Sequence, residues 1–380
     1  MLKEEQLKST PAVAEPAAAK ANLTAADIND WLLRFQHIPV TEKLFFVQHL
    51  GVMIKAGISL AKALEMLGKQ TANKRFQAVI QNLHQDVNKG GTLAAALKRY
   101  PGVFDELFAN MVAAGEASGT LEEVLKSIYL QLKRNHQLTT KIRGALMYPM
   151  VILFAMGTIG TGVMIFVVPK FISIFKDAKI ELPLMTKLLI AASDLIVNNG
   201  LMATVIGLIA LIIIIKLSTL PAVKSWLHWL WLKLPVLGPI VKKINLARFA
   251  RTMSSLLKTD IKIVESFKIA STTVNNIQYK KSLLQAAEKV KKGVLINQVL
   301  DDYPELYNHV IRQMVTVGEE TGELDKILEE IAGFYEEEVE EIMNTLPTII
   351  EPVIILALAV VIGLMAVAII MPMYSLTNAI

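Results

Sequence analysis

The chain has no cysteine, which excludes disulfides, thiolate nucleophiles and cysteine-based metal sites. Its six histidines (His37, His49, His84, His136, His228, His309) never fall at a metal-ligand spacing such as His-x3-His. No Gly-x4-Gly-Lys-Ser/Thr run occurs, so the phosphate-cradling loop of nucleotide hydrolases is absent. Aromatics make up only 7%, and the Lys and Arg residues behind the formal net charge of +5 are scattered. Nucleic-acid binding needs a clustered basic stripe, so it is not expected. No catalytic, cofactor or metal site is expected. A scattered Ser, His and Asp triad is the one arrangement that sequence leaves open.

What the chain has in plenty is apolar residues, 53% of the total, with a mean hydropathy of +0.46. Charged residues still supply 19%, so part of the chain should lie in lipid and part in water. Three runs free of Asp, Glu, Lys, Arg and His suit the roughly 20 residues that span a bilayer. They are Met150 to Val168 between Pro149 and Pro169, about Gly200 to Ile215, and Val353 to Met371 between Pro352 and Pro372. Gly157, Gly160 and Gly162 lie inside the first run, where Thr158 with Gly162 suits close helix packing, as Ala359 with Gly363 does in the third.

Lys133, Arg134, Lys141 and Arg143 precede the first span, and Lys216, Lys224, Lys233, Lys242, Lys243, Arg248 and Arg251 follow the second. The connection between those spans holds only Lys170, Lys176, Lys179 and Lys187, and the tail after Pro372 has no charged side chain. The positive-inside bias therefore predicts a cytoplasmic N-terminus and middle domain and an extracytoplasmic C-terminus. Trp226, Trp229 and Trp231 read as an interfacial belt beside the second span.

The chain also matches itself at a constant offset of 203 residues. Phe46 maps to Phe249, Lys55 to Lys258, Lys89-Gly90 to Lys292-Gly293 and Tyr100-Pro101 to Tyr303-Pro304. Gly115-Glu116 maps to Gly318-Glu319, Gly119 to Gly322, Pro149 to Pro352 and Pro169 to Pro372. Two copies that each end in an outward-going span need one returning span between them.

Apolar spacing in Leu44, Val47, Leu50 and Ile54 is helical, and Gly57, Gly90-Gly91, Pro101 and Gly115 to Gly119 divide each copy into about six helices. Thr120 with Glu123 suits a capping box. The expected fold is an all-α membrane protein with two homologous six-helix-bundle cytoplasmic domains and three transmembrane helices. The expected boundaries are a disordered tail (1–40), domain one (41–147), span one (148–169), an extracytoplasmic loop (170–199) and span two (200–219). Domain two (220–350), span three (351–372) and an extracytoplasmic tail (373–380) follow.

Glu116 and Glu319 recur in Gly-Glu-x-Ser/Thr-Gly-x-Leu. A partner or ion site is one reading. The favoured one is a tight corner in which glycines take positive φ and the Glu satisfies backbone donors. Asp260 stands where copy one has Gly57, which opens the possibility of a different turn. Lys133 and Arg134 map onto Glu336 and Glu337, so the two helices leading to the outward spans differ in sign. Packing about a pseudo-two-fold axis, within one chain or between protomers, would bring these opposite charges together; a solvated acidic face is the alternative.

From about Pro39 onward the chain resembles the type II secretion system protein F and type IV pilus platform family. The resemblance rests on Phe46-Val-Gln-His-Leu-x-Val-Met-Ile-Lys-Ala-Gly57, Gly115-Glu-Ala-Ser-Gly119-x-Leu121, Lys141-Ile-x-x-Ala-Leu-x-Tyr-Pro149 and Val168-Pro-Lys-Phe171. Leu234-Pro-Val-Leu-Gly238-Pro239 and Leu246-Ala-Arg-Phe-Ala-Arg251 complete it. It implies a homo-oligomeric platform in the bacterial inner membrane that couples a cytoplasmic hexameric ATPase to pilins or pseudopilins, alongside other inner-membrane assembly proteins. Nucleotide chemistry would belong to the partner. A small transporter or channel subunit is the competing reading, though such proteins usually carry ionisable groups at membrane depth.

Overall fold

A computed structural model describes residues 36–170, 184–197, 200, 205, 209–210, 212–213, 216–218, 220–235 and 237–377. Of the tail expected over 1–40, residues 1–35 lie outside the described residues, as do most of the second span and residues 378–380, whereas Ile38 is buried and a helix starts at Val40. Among the described residues there are fourteen helices and no strand.

Domain one is built from six helices: α1 (Val40–Lys55), α2 (Leu60–Gln70), α3 (Lys74–Asn88), α4 (Leu93–Lys98), α5 (Glu106–Ser118) and α6 (Leu121–Phe166). Two helices intervene, α7 (Leu184–Val197) and α8 (Pro221–Lys233). Domain two repeats the six as α9 (Leu237–Leu257), α10 (Ile263–Thr273), α11 (Ile277–Lys291), α12 (Ile296–Asp301), α13 (His309–Thr321) and α14 (Leu324–Thr377).

The helix starts are written alike in both copies. Asn73 and Asp105 accept from the backbone N–H of Phe76 (3.0 Å) and Phe108 (2.8 Å). Their counterparts Asn276 and Asn308 accept from Gln278 (2.8 Å) and Ile311 (3.0 Å), so each cap satisfies an orphan donor of the first turn. Thr120 departs from its expected role: its side chain makes no cap bond, and its hydroxyl instead meets the Ser118 hydroxyl at 2.6 Å.

Each core is aromatic at the same positions. Phe46, Phe76 and Phe104 pack together in domain one. Phe249, Tyr279 and Tyr307 take their places in domain two. Both tyrosines are fully buried, which is tolerable because each hydroxyl has a partner. Tyr279 donates to the Leu306 carbonyl at 2.7 Å, and Tyr307 pairs with the Ser282 hydroxyl at 2.8 Å.

Each bundle ends in a long helix that continues into its apolar run. The regions Leu121–Lys170 and Leu324–Ala368 are long and apolar enough to cross a membrane. Met150, Phe154, Val353 and Leu356 point outward there, which suits contact with lipid. The prolines expected to bracket the spans do not end these helices: α6 runs through Pro149, and α14 runs through Pro352 and Pro372. A proline costs one ladder bond, and the 46 and 54 residues of the two helices supply enough neighbouring bonds to keep the rods unbroken. Pro169 lies just beyond α6, past its C-cap Val167.

Within the segment read as an outer loop, α7 packs beside both rods. Thr186 donates to the Ala368 carbonyl and Ser193 to the Met164 carbonyl, each at 2.7 Å.

Candidate functional site

Two features are candidates for function: a corner repeated in each domain, and the seam where the domains meet. At the corner, Gly119 (φ +75) and Gly322 (φ +73) end α5 and α13 in the left-handed region, which only glycine enters without strain. Gly115 and Gly318 do different work, since both are helical. A Cβ at Gly115 would lie 2.8 Å from Val124 Cγ2 and 3.2 Å from Leu121 Cα, and one at Gly318 would lie 3.0 Å from Leu324 Cα. These glycines let α5 and α13 touch the start of the long helices.

Glu116 Oε1 and Oε2 accept from the backbone N–H groups of Leu93 (2.6 Å) and Ala94 (2.8 Å). Glu319 does the same with Ile296 (2.6 Å) and Asn297 (3.1 Å). Both carboxylates thus sit at the N-terminus of a short helix, where negative charge and orphan donors meet. The chemistry they perform here is structural.

The turn after the first helix is kept despite its change of residue. Gly57 has φ +79 and Asp260 has φ +55. Copy two therefore makes the same left-handed turn, with Asp, one of the few other residues that enters this region routinely.

At the seam, α5 and α6 of domain one receive α9 and α10 of domain two. Gln131 donates to the Thr252 hydroxyl and accepts from the Ser255 hydroxyl, both at 3.2 Å. Leu256 and Ile269 of domain two are buried in the core of domain one. A cavity of about 440 Å³ flanks this contact, lined by Asp105, Asn135, Arg248 and Asn275 among others. Burial holds the Arg248 guanidinium below its ordinary pKa.

The long helices meet as well, but not as a pseudo-two-fold pair. Leu138, Ile142 and Ala145 of α6 pack with Val339, Met343 and Leu346 of α14. By the 203-residue offset, these are not equivalent positions. Within the chain, Glu336 bonds to Arg251 in place of the expected Lys133 or Arg134. Arg251 Nε and Nη2 each donate to Glu336 at 2.8 Å. Burial opposes the Arg251 charge, yet Glu336 and Glu329 outweigh it and hold the pKa above its ordinary value.

Lys133 lies over the Tyr129 ring at 5.8 Å, and Glu337 is exposed. Arg134 lines a surface cavity with Glu336 and Glu340. Between the two rods the ion pair is Lys141 with Glu340, and Lys243 of α9 meets Glu338 at 2.8 Å. The sequence places Arg248 and Arg251 in a charge count and in the motif from Leu246 to Arg251, but neither points to the seam. The signal passed over was that α9 is polar at Arg248, Thr252 and Ser255, where α1 has Phe45, His49 and Val52.

On α8, Trp226, Trp229 and Trp231 are exposed, and Lys233 lies 4.5 Å from the Trp229 ring centroid. His228 faces inward and accepts from the Ile277 N–H at 2.9 Å through Nδ1. Burial and nearby Lys224 lower its pKa.

Comparison with known proteins gives the same duplication from outside. The sequence pattern of the family "Type II secretion system (T2SS), protein F" matches twice, over residues 46–169 and 249–372. The type IV pilus assembly protein PilC of Thermus thermophilus is 34% identical over 87% of this chain and 81% of its own. PilC of Pseudomonas aeruginosa is 31% identical over 88% and 90%. The type II secretion system protein F of Aeromonas hydrophila is 30% identical over 99% and 96%. Each family match begins in the first helix of a bundle and ends in or just beyond its rod, so the repeated unit of the fold and that of the family coincide. The chain belongs to the type II secretion system protein F family.

Proposed function

We propose that the protein is the inner-membrane platform of a type IV pilus or type II secretion-like machine. It couples a cytoplasmic hexameric ATPase to the polymerisation of pilins or pseudopilins and performs no catalysis itself. The observation that carries this reading is the unbroken helix joining each bundle to its apolar segment. At 1.5 Å per residue, the 46-residue α6 is a rod of about 70 Å. A displacement imposed on a bundle is therefore carried along a stiff element to membrane depth.

In this reading both bundles are cytoplasmic, three spans cross the inner membrane, the N-terminus is cytoplasmic and the C-terminus is outside. The names of the relatives from Thermus thermophilus, Pseudomonas aeruginosa and Aeromonas hydrophila support the pilus and secretion setting.

The test is an ATPase measurement on the purified full-length protein in detergent. Alone it should not hydrolyse ATP; added to the cognate hexameric ATPase, it should change that enzyme's turnover. Unchanged turnover despite binding would remove the coupling role, and hydrolysis that tracks the purified chain would remove the non-enzymatic one.

A further inference from the structure

The seam between the domains joins two different faces. Domain one offers α5 and α6, with Leu107, Met111 and Gln131; domain two offers α9 and α10, with Thr252, Ser255, Leu256 and Ile269. Because each domain is a copy of the other, each also carries the face that its neighbour uses, and among the described residues neither of those two faces meets another domain.

On domain two the counterparts of Leu107 and Gln131 are Val310 and Phe334, which are 58% and 55% exposed. Val317 lies two turns beyond Val310 on α13 and is also exposed. On domain one the counterparts of Arg248 and Ser255 are Phe45 and Val52, 39% and 60% exposed. Where the seam has the polar Gln131, Arg248 and Ser255, the uncovered faces thus have Phe334, Phe45 and Val52, while Thr252 is matched by His49. Lone exposed apolar residues are unremarkable, but a set placed on an interface position in both copies is not.

A contact between unlike faces does not close on itself after one step. The rods α6 and α14 lie side by side, each leading from its bundle towards its apolar end. Repeating the step from domain one to domain two therefore keeps successive rods pointing to one side, as a shared membrane requires.

We infer that the α13–α14 face of domain two receives the α1–α2 face of domain one from a second copy of this chain. The contact repeats the one within the chain, with Val52 against Phe334 in place of Ser255 against Gln131. Chains then join head to tail, and the contact between chains is apolar where the one inside each chain has the hydrogen bonds of Gln131.

The absence of cysteine makes the test direct. Two full-length chains with different tags, one Val52→Cys and the other Phe334→Cys, are co-expressed and treated in membranes with a short bismaleimide. Both positions are exposed, so neither change disturbs a core. The expected product carries both tags and is at least fivefold more abundant than the product from either variant paired with itself. Homotypic cross-links of equal abundance would indicate a symmetric dimer and overturn the inference. Absence of any cross-link between chains would overturn it too, leaving the face to a different partner. Neither result depends on ATPase coupling, so this inference and the proposed function fail separately.

Discussion

The repeated carboxylates act by holding backbone, and their removal should be read as stability. Glu116→Ala strips two N–H groups of α4 of their acceptor and should cost about 1–2 kcal/mol, the usual scale for a lost cap. Glu116→Gln keeps one acceptor and should lose less; calorimetry of the detergent-solubilised chain measures both. Gly57 and Asp260 test backbone conformation alone, because no atom lies within 4 Å of a Cβ built at Gly57. Gly57→Val should destabilise by about 1 kcal/mol or more, whereas Asp260→Gly should be neutral or stabilising. Equal melting of Gly57→Val and the parent would show that the left-handed turn carries no penalty. His228 supplies a pH dependence. Its pKa in the fold lies below the ordinary 6.5, so the unfolded chain takes up the proton first as pH falls. The stability linked to His228 is present above about 6.5 and is lost as pH drops towards the lowered value. His228→Asn should flatten the melting temperature between pH 7 and pH 5.

Among the elements, α14 is held to domain two by the buried Leu328, Ile331, Ala332 and Tyr335 together with the Arg251–Glu336 pair, and to α6 mainly by apolar packing. Arg251 and Glu336 are both mostly covered, with 17% and 16% of their side chains exposed. Glu336→Lys sets two cations together and should cost about 2 kcal/mol or more. Lys133→Glu with Arg134→Glu should not restore that loss, because Glu336 answers to α9 rather than to α6. Recovery in the combined variant would mean that the rods meet through those charges after all. The Lys141–Glu340 pair is exposed, and exchanging its charges should move stability by no more than about 1 kcal/mol. The packing of Leu138 and Ala145 on Val339, Met343 and Leu346 keeps the rods together.

For the whole molecule, the decisive measurement is topology. A reporter fused after Asp177 should register outside, and one fused after Lys243 should register in the cytoplasm. Both fusions reporting one compartment would mean that the chain does not return between its two family-matching halves. With both halves ending in rods that lie side by side, the proposed topology requires one crossing between them for the second bundle to share a compartment with the first.

The duplication, the helical class, two of the three expected apolar helices and the glycine turns are legible in the amino-acid order alone. Each is a local property: a fixed offset, a spacing of apolar residues, or a glycine that must take positive φ. Tertiary structure decided which face of one copy meets which face of the other. Periodicity marks Leu138 and Val339 as apolar but does not say that they pack together, and it gives Glu336 no reason to choose Arg251 over Lys133. Pairing is set by long-range packing, in which two identical folds bury unlike surfaces. That is why, within the chain, the domains meet through a head-to-tail seam at Gln131, Thr252 and Ser255 and not through a pseudo-two-fold match of opposite charges.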